Sequence, residues 1–178
     1  MANISNIDRN QWMLQGPLAK RGYDWWWHSL TAENANTGEK KAFFIEFFSC
    51  NPAYARQEPE IVWNNPGKRK RGARPSYVMV NVGFWGNPKA QLHRFFAWKD
   101  VKMVIDAPYY IEVDDCNCSE THTEGSVSVS KYDASIHPEW MSDYGSMSWN
   151  LDIEKKIAFN VGYGAGKLFR KLQLFEMF

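Results

Sequence analysis

Two neighbouring segments of this chain carry bulky apolar rings at consecutive positions instead of at every second one. Tryptophan occupies residues 25–27, and four phenylalanines lie within residues 42–48. A strand with one solvent-exposed face alternates apolar and polar side chains. Both segments therefore predict strands with two apolar faces. One face packs into a core, and the other needs a cavity, a partner domain or a ligand.

Other segments alternate more regularly and are bounded by turn residues. Residues 23–31 and 41–50 predict a hairpin around the turn at 34–39, and residues 114–120 predict a polar turn. The further predicted strands are residues 76–85, 92–98, 101–105, 109–113, 124–130 and 145–154. No stretch has a long helical period with caps, so we expect little helix. About eight strands predict an all-β fold, an antiparallel barrel or sandwich.

The length of 178 residues fits one β-domain. Residues 51–75 are rich in proline and charge and predict a long loop insertion. The apolar segment 167–178 stops at Phe178 without a polar tail. We therefore expect residues 1–178 to be the N-terminal half of a longer, two-domain protein.

The charge balance is close to neutral, with 21 Lys and Arg against 20 Asp and Glu. A basic cluster at residues 68–71 and Arg74 is interpreted as an exposed loop, with a nucleic-acid or anion patch as the alternative. No aromatic residue interleaves the cluster, so we expect no nucleic-acid partner. Three cysteines and no apolar leader favour a cytoplasmic protein, and no apolar run is as long as a transmembrane helix.

The hairpin supplies the candidate catalytic residues. We expect Trp27 to lie opposite Phe48 and Ser29 opposite Glu46, which sets the Glu46 carboxyl among aromatic rings. Loss of hydration there would raise its pKa and make it a proton donor. The alternatives are an exposed carboxyl or an ion pair. His28, on the other face, is a second candidate for acid–base chemistry or else a buried, hydrogen-bonded histidine.

Neither metal nor cofactor binding is expected. Cys116 and Cys118 are separated by one residue and lack a second ligand pair, whereas zinc sites use wider spacing. The glycines at 162–167 depart from a phosphate loop, since Val161 stands where the first Gly belongs and Leu168 follows the Lys. These glycines are interpreted as a bend.

The segments Gly-Tyr-Asp-Trp-Trp-Trp-His at 22–28 and Lys-Ala-Phe-Phe-Ile-Glu-Phe-Phe at 41–48 resemble the opening hairpin of the tocopherol cyclase-like proteins. Ser-Met-Ser-Trp-Asn-Leu at 146–151 resembles a later strand of the same family. The resemblance implies two lipocalin-like β-domains, with ligand and catalysis between or within them. It also implies a relation to carotenoid hydratases. The insertion at 51–75 and the absence of a second domain depart from the family.

These features favour a lipocalin-like domain that binds a hydrophobic isoprenoid or polycyclic small molecule. In the full-length protein it would act as a cyclase, isomerase or hydratase in which Glu46 protonates an alkene or epoxide. Aromatic faces would stabilise the cation. The candidate ligand-binding residues are Trp25, Trp27, Phe44, Phe48, Trp85 and Trp149. The alternatives are a non-catalytic β-domain that docks a second β-domain or self-associates, and a carbohydrate-binding domain.

Overall fold

A computed structural model gives the structure of the chain and shows two antiparallel β-sheets with little helix. The residues it describes are 12–54, 58–61, 67, 70–85, 91–105, 109–136 and 143–154. The sheets have four and five strands, each in sequence order. The predicted all-β antiparallel fold is confirmed. The sheets do not close into a barrel, and the described strands form a sandwich of two layers.

The first sheet contains the long aromatic hairpin. Its strands are β1 (Tyr23–Glu33), β2 (Lys40–Cys50), β3 (Tyr77–Phe84) and β4 (Gln91–Phe96). The second sheet contains β5 (Val101–Val104), β6 (Tyr110–Val113), β7 (Cys116–Ser119), β8 (His122–Val129) and β9 (Gly145–Asp152). One α-helix, α1 (Lys131–Ile136), and short 3-10 helices at Gly16–Lys20, Pro52–Tyr54 and Trp98–Asp100 complete the described elements.

The polar turn predicted at residues 114–120 is wrong, because it contains β7. The turn is confined to Asp114 and Asp115, between the paired residues Val113 and Cys116. Asp114 adopts φ of 55°, a left-handed conformation that Asp tolerates better than most residues. The short strand was missed because its inward-facing residues are cysteines, which are weak strand signals although both are buried.

The predicted hairpin is present, but the predicted pairing is wrong by two residues. Trp27 lies opposite Glu46 instead of Phe48, and Ser29 lies opposite Phe44. The strands pair up to Glu33 and Lys40, so the loop sits one residue earlier in the chain than expected. Because side chains alternate with a period of two, this shift leaves every residue on its predicted face.

The two sheets bury one apolar layer between them. Trp26 stacks on Trp12 with ring centroids 5.4 Å apart and on Tyr109 at 4.6 Å. Trp149 meets Phe47 edge-on at 6.4 Å. The fully buried aliphatic residues of this layer are Ile45, Val78, Val80, Val82, Ile111, Val113 and Val127. Side chains therefore fill the space between the two sheets.

The segment between β2 and β3 is fixed near both of its ends. Asn51 donates its backbone N–H to the Gly22 carbonyl at 3.1 Å. Glu60 and Ser76 form an isolated antiparallel bridge just before β3. Residues 68 and 69 of the basic cluster lie outside the described residues. The C-terminal segment 155–178, with the glycines at 162–167 and the ending at Phe178, also lies outside them.

No helix in the described part of the chain is long and apolar enough to cross a membrane.

Gly125 lies directly opposite Trp149 in the second sheet, where the backbone approaches its neighbours closely. A Cβ there would lie 2.7 Å from Cys116 Sγ and 2.9 Å from a Trp149 ring carbon. We expect Gly125→Ala to lower the free energy of unfolding by about 2–3 kcal/mol through overpacking, measured by urea denaturation. Gly145→Ala is the matched control, because its φ is also positive but nothing lies within 4 Å. Equal losses in both variants would contradict this packing argument.

Candidate functional site

The first sheet has a second aromatic surface on the side that faces away from the second sheet. We call it the aromatic face. It consists of odd-numbered residues of β1, β3 and β4 and even-numbered residues of β2, which the antiparallel pairing sets side by side. Its main side chains are Tyr23, Trp25, Trp27, Phe44, Glu46, Phe48, Tyr77, Asn81, His93, Phe95 and, just after β3, Trp85. The neighbouring positions in each strand belong to the core layer between the sheets.

One cluster of rings lies at the hairpin end of the aromatic face. Trp27 stacks nearly parallel on Phe44 with centroids 5.1 Å apart, and Trp85 packs against both rings at 5.7 and 5.3 Å. The Trp85 indole N–H donates to Ser29 Oγ at 3.0 Å, which fixes the ring orientation. Phe44 is buried, whereas Trp27 and Trp85 remain 38% and 50% exposed. This first cluster presents open apolar surface.

A second cluster of rings lies towards the other end of the aromatic face. Tyr23 stacks on Trp25 at 5.5 Å and on Phe48 at 5.8 Å. Phe48 continues to Tyr77 at 6.1 Å, and Tyr77 meets Phe95 edge-on at 5.2 Å. The second cluster therefore crosses all four strands of the first sheet.

A polar row crosses the sheet between the two clusters. Glu46 pairs with Asn81, and Asn81 pairs with His93. Asn81 Nδ2 donates to Glu46 Oε2 at 2.8 Å. Asn81 is buried, and neither its Oδ1 nor Nδ1 of His93 has a hydrogen-bond partner among the described residues. Buried polar atoms without a hydrogen-bond partner are uncommon. A polar group of a ligand could supply the missing hydrogen bonds.

Burial among the aromatic rings shifts the pKa values of Glu46 and His93 in this row. Burial raises the pKa of the Glu46 carboxyl, and the hydrogen bond from Asn81 partly opposes the shift. Burial lowers the pKa of His93 to about 4, so its imidazole is neutral near pH 7. The row thus combines a carboxyl biased towards its acid form with an uncharged imidazole and an amide. This arrangement can donate a proton in an apolar setting.

The raised pKa of Glu46 has a defined consequence for stability. The folded protein holds the Glu46 proton more tightly than the unfolded chain does. The stabilisation from this residue is therefore fully present at low pH, and it is lost as the pH rises through the folded-state pKa. A carboxyl in a purely structural ion pair shows the opposite pH dependence: its stabilisation is present at high pH and is lost as the pH falls.

The structure brings most of the predicted site residues together. Glu46 and the five rings Trp25, Trp27, Phe44, Phe48 and Trp85 share the aromatic face. His28 and Trp149 do not, because both face the layer between the sheets. His28 Nε2 lies 3.2 Å from Cys118 Sγ, and the Trp149 indole N–H donates to Thr123 Oγ1 at 3.0 Å.

His28 belongs to a small polar cluster inside the core layer. The Tyr109 hydroxyl lies 3.3 Å from Cys118 Sγ and 3.0 Å from the Ser119 carbonyl oxygen, to which it donates. Cys118 is fully buried, and so is Cys116 two residues earlier. Within the described residues, no group of three or more His, Cys, Asp or Glu side chains is placed to hold a metal ion. Cys118 and Tyr109 of this cluster are buried in the core layer, and His28 is partly buried beside them.

Sequence reasoning missed Asn81 and His93, the other two members of the polar row. Asn81 is the one polar residue in the apolar run 77–83, and His93 sits two residues before Phe95 on the next strand. An isolated amide inside a strand with two apolar faces is a signal for a buried polar contact. Its partner becomes visible only when the strands are paired in register.

No family model, no curated protein and no solved structure matches this chain.

We expect the Glu46 carboxyl to titrate above the range of exposed glutamates, because burial disfavours its charged form. In Asn81→Leu the pKa should rise further, since a hydrogen bond to the carboxylate is lost. NMR of the Glu46 side-chain carbonyl across a pH series measures both values. Met79→Leu, on the same face and strand, is the control and should leave the Glu46 pKa unchanged. An ordinary carboxyl pKa in the unmodified protein would contradict this description of the site.

Proposed function

We propose that this chain binds a hydrophobic small molecule, an isoprenoid or a polycyclic compound, across its aromatic face. One observation carries the proposal: a carboxyl with a raised pKa lies between two clusters of aromatic rings on the same side of one sheet. Aromatic side chains with a few polar groups among them are typical of small-molecule sites. Trp27 and Trp85 keep enough exposed ring surface to contact such a ligand.

The spacing of the strands suits an elongated or fused-ring ligand. Neighbouring strands lie about 4.8 Å apart, so the four strands of the first sheet span roughly 15 Å. A ligand that lies over the rings would bring its apolar body against both clusters and one of its bonds over Glu46. Burial of that apolar surface is the main source of affinity.

The proposed chemistry is protonation by Glu46. In its acid form Glu46 gives a proton to an alkene carbon or an epoxide oxygen of the ligand and becomes a carboxylate. The cation that forms faces the rings of Trp27, Phe44 and Trp85, whose negative quadrupoles stabilise it. The cation then loses a proton to the Glu46 carboxylate. Alternatively, water adds to the cation and the water molecule gives its extra proton to Glu46. The net reaction is a cyclisation, an isomerisation or a hydration.

The resemblance to the tocopherol cyclase-like proteins supports the same proposal. A second β-domain would then lie against the aromatic face and enclose the ligand, so the present chain would carry the acid and half of the ring surface. The exposed rings of Trp27 and Trp85 also support the alternative, in which the aromatic face docks a second β-domain or another copy of the chain without catalysis.

Titration calorimetry with farnesol, a neutral isoprenoid, tests the binding. We expect measurable binding to the unmodified chain and an affinity about tenfold lower for Trp27→Ala, because one stacking ring is lost. Tyr132→Ala in α1 is the matched control, since Tyr132 is 70% exposed and lies outside the aromatic face. Absence of binding, or equal affinities in all three proteins, would exclude the aromatic face as the site.

A second readout of the same mixtures tests the acid. In heavy water, reversible protonation by Glu46 exchanges deuterium into the alkene, which mass spectrometry detects. Glu46→Gln should bind farnesol with unchanged affinity and lose the exchange. Equal exchange in Glu46→Gln would remove Glu46 from the proposed chemistry. A stable ligand-free dimer in light scattering, together with no farnesol binding, would favour the docking alternative.

A further inference from the structure

A cavity opens at the end of the first sheet, next to the second aromatic cluster. It has a volume of about 540 Å³ and lies where β1 begins, β2 ends and β3 begins. The lining residues that matter here are Lys20, Arg21, Arg74, Tyr23, Phe48 and Tyr77. A volume of this size is in the range of small-molecule sites.

The charge of the cavity is entirely of one sign. Lys20, Arg21 and Arg74 line it, and no Asp or Glu is among its described lining residues. None of these three cations forms an ion pair with a described residue. Cations that line one cavity attract anions, and no acidic side chain among the described residues neutralises these three. Arginine can hold a carboxylate or phosphate by paired hydrogen bonds. The chain as a whole has a net charge of only +1, so this is a local feature.

The backbone next to the cations is held in place by Asn51. Its N–H donates to the carbonyl of Gly22, beside Arg21, and its Nδ2 donates to the carbonyl of Pro75, beside Arg74, at 3.1 and 2.6 Å. Asn51 adopts φ of 45°, a left-handed conformation that asparagine tolerates. Its buried Oδ1 has no hydrogen-bond partner among the described residues. Asn51 thus links two segments that are distant in the chain and that both line the cavity.

The cavity is continuous with the aromatic face. Tyr23, Phe48 and Tyr77 line it and also belong to the second aromatic cluster. Glu46 lies two residues from Phe48 on the same face of β2, a distance of about 7 Å along the strand. A molecule with its charged end in the cavity would therefore lay its apolar body over the rings and towards Glu46.

We propose that the cavity binds the anionic head group of an amphiphilic ligand, a carboxylate or a phosphate, through Lys20, Arg21 and Arg74. This inference rests on the proposed function, because the same ligand has its apolar body on the aromatic face. The cations set which end of the molecule points away from Glu46. They thereby select which double bond or ring of the ligand reaches the acid.

Calorimetry with three ligands of the same chain length tests the inference: farnesol, farnesoic acid and farnesyl diphosphate. We expect the two anions to bind at least tenfold more tightly than the alcohol at low salt, and this preference to shrink as the salt concentration rises. Comparison of the two anions distinguishes a carboxylate from a phosphate as the preferred head group. A double variant, Arg21→Gln with Arg74→Gln, should lose the preference and keep its affinity for farnesol.

The control double variant is Lys99→Gln with Lys102→Gln. It removes the same charge from exposed positions outside the cavity and should keep the preference for anions. If the alcohol and the anions bind equally, or if both double variants lose the preference alike, the head-group site is refuted while binding to the aromatic face stands. If none of the three ligands binds, the proposed function itself fails, and the inference fails with it.

Discussion

The alternation of side chains along the β1–β2 hairpin is the constraint on which the rest of this structure depends. Trp26 and Phe47 point towards the second sheet, and the residues beside them point the opposite way. Because the side chains on both faces of the hairpin are largely aromatic, one face packs into a core and the other forms an apolar surface. The sandwich provides that core. On the opposite side of the first sheet, Trp27 and Trp85 remain partly exposed.

The polar row gains its properties from this two-sided arrangement. Glu46 occupies a position in β2 where an alternating strand would place a residue towards solvent, but the rings around it remove much of that solvent. A charged carboxyl is costly there, so the proton is retained more strongly. Asn81 limits the cost by donating one hydrogen bond. The aromatic face thus combines an exposed apolar surface with a carboxyl whose pKa is raised.

Much of the first sheet could be predicted from the sequence, because it depends on local alternation. The strands β1 and β2, the face of each of their residues and the aromatic rings beside Glu46 on β1 and β2 follow from residues 23–50. The pairing of Trp27 with Glu46 could not be predicted in this way, because the geometry of the loop between the two strands sets the register. The contact between Glu46 and Asn81 joins segments that are far apart in the chain. The same is true of the cavity that Arg21 and Arg74 line. Such contacts follow from tertiary pairing, which no local pattern encodes.

If the proposed function is correct, a hydrophobic ligand lies on the aromatic face and not between the sheets. The most direct measurement is NMR of the tryptophan indole N–H signals during titration with farnesol. We expect shifts for Trp27 and Trp85, and unchanged signals for Trp26 and Trp149, which are buried in the layer between the sheets. Shifts confined to Trp26 and Trp149 would place the ligand between the sheets and refute binding on the aromatic face.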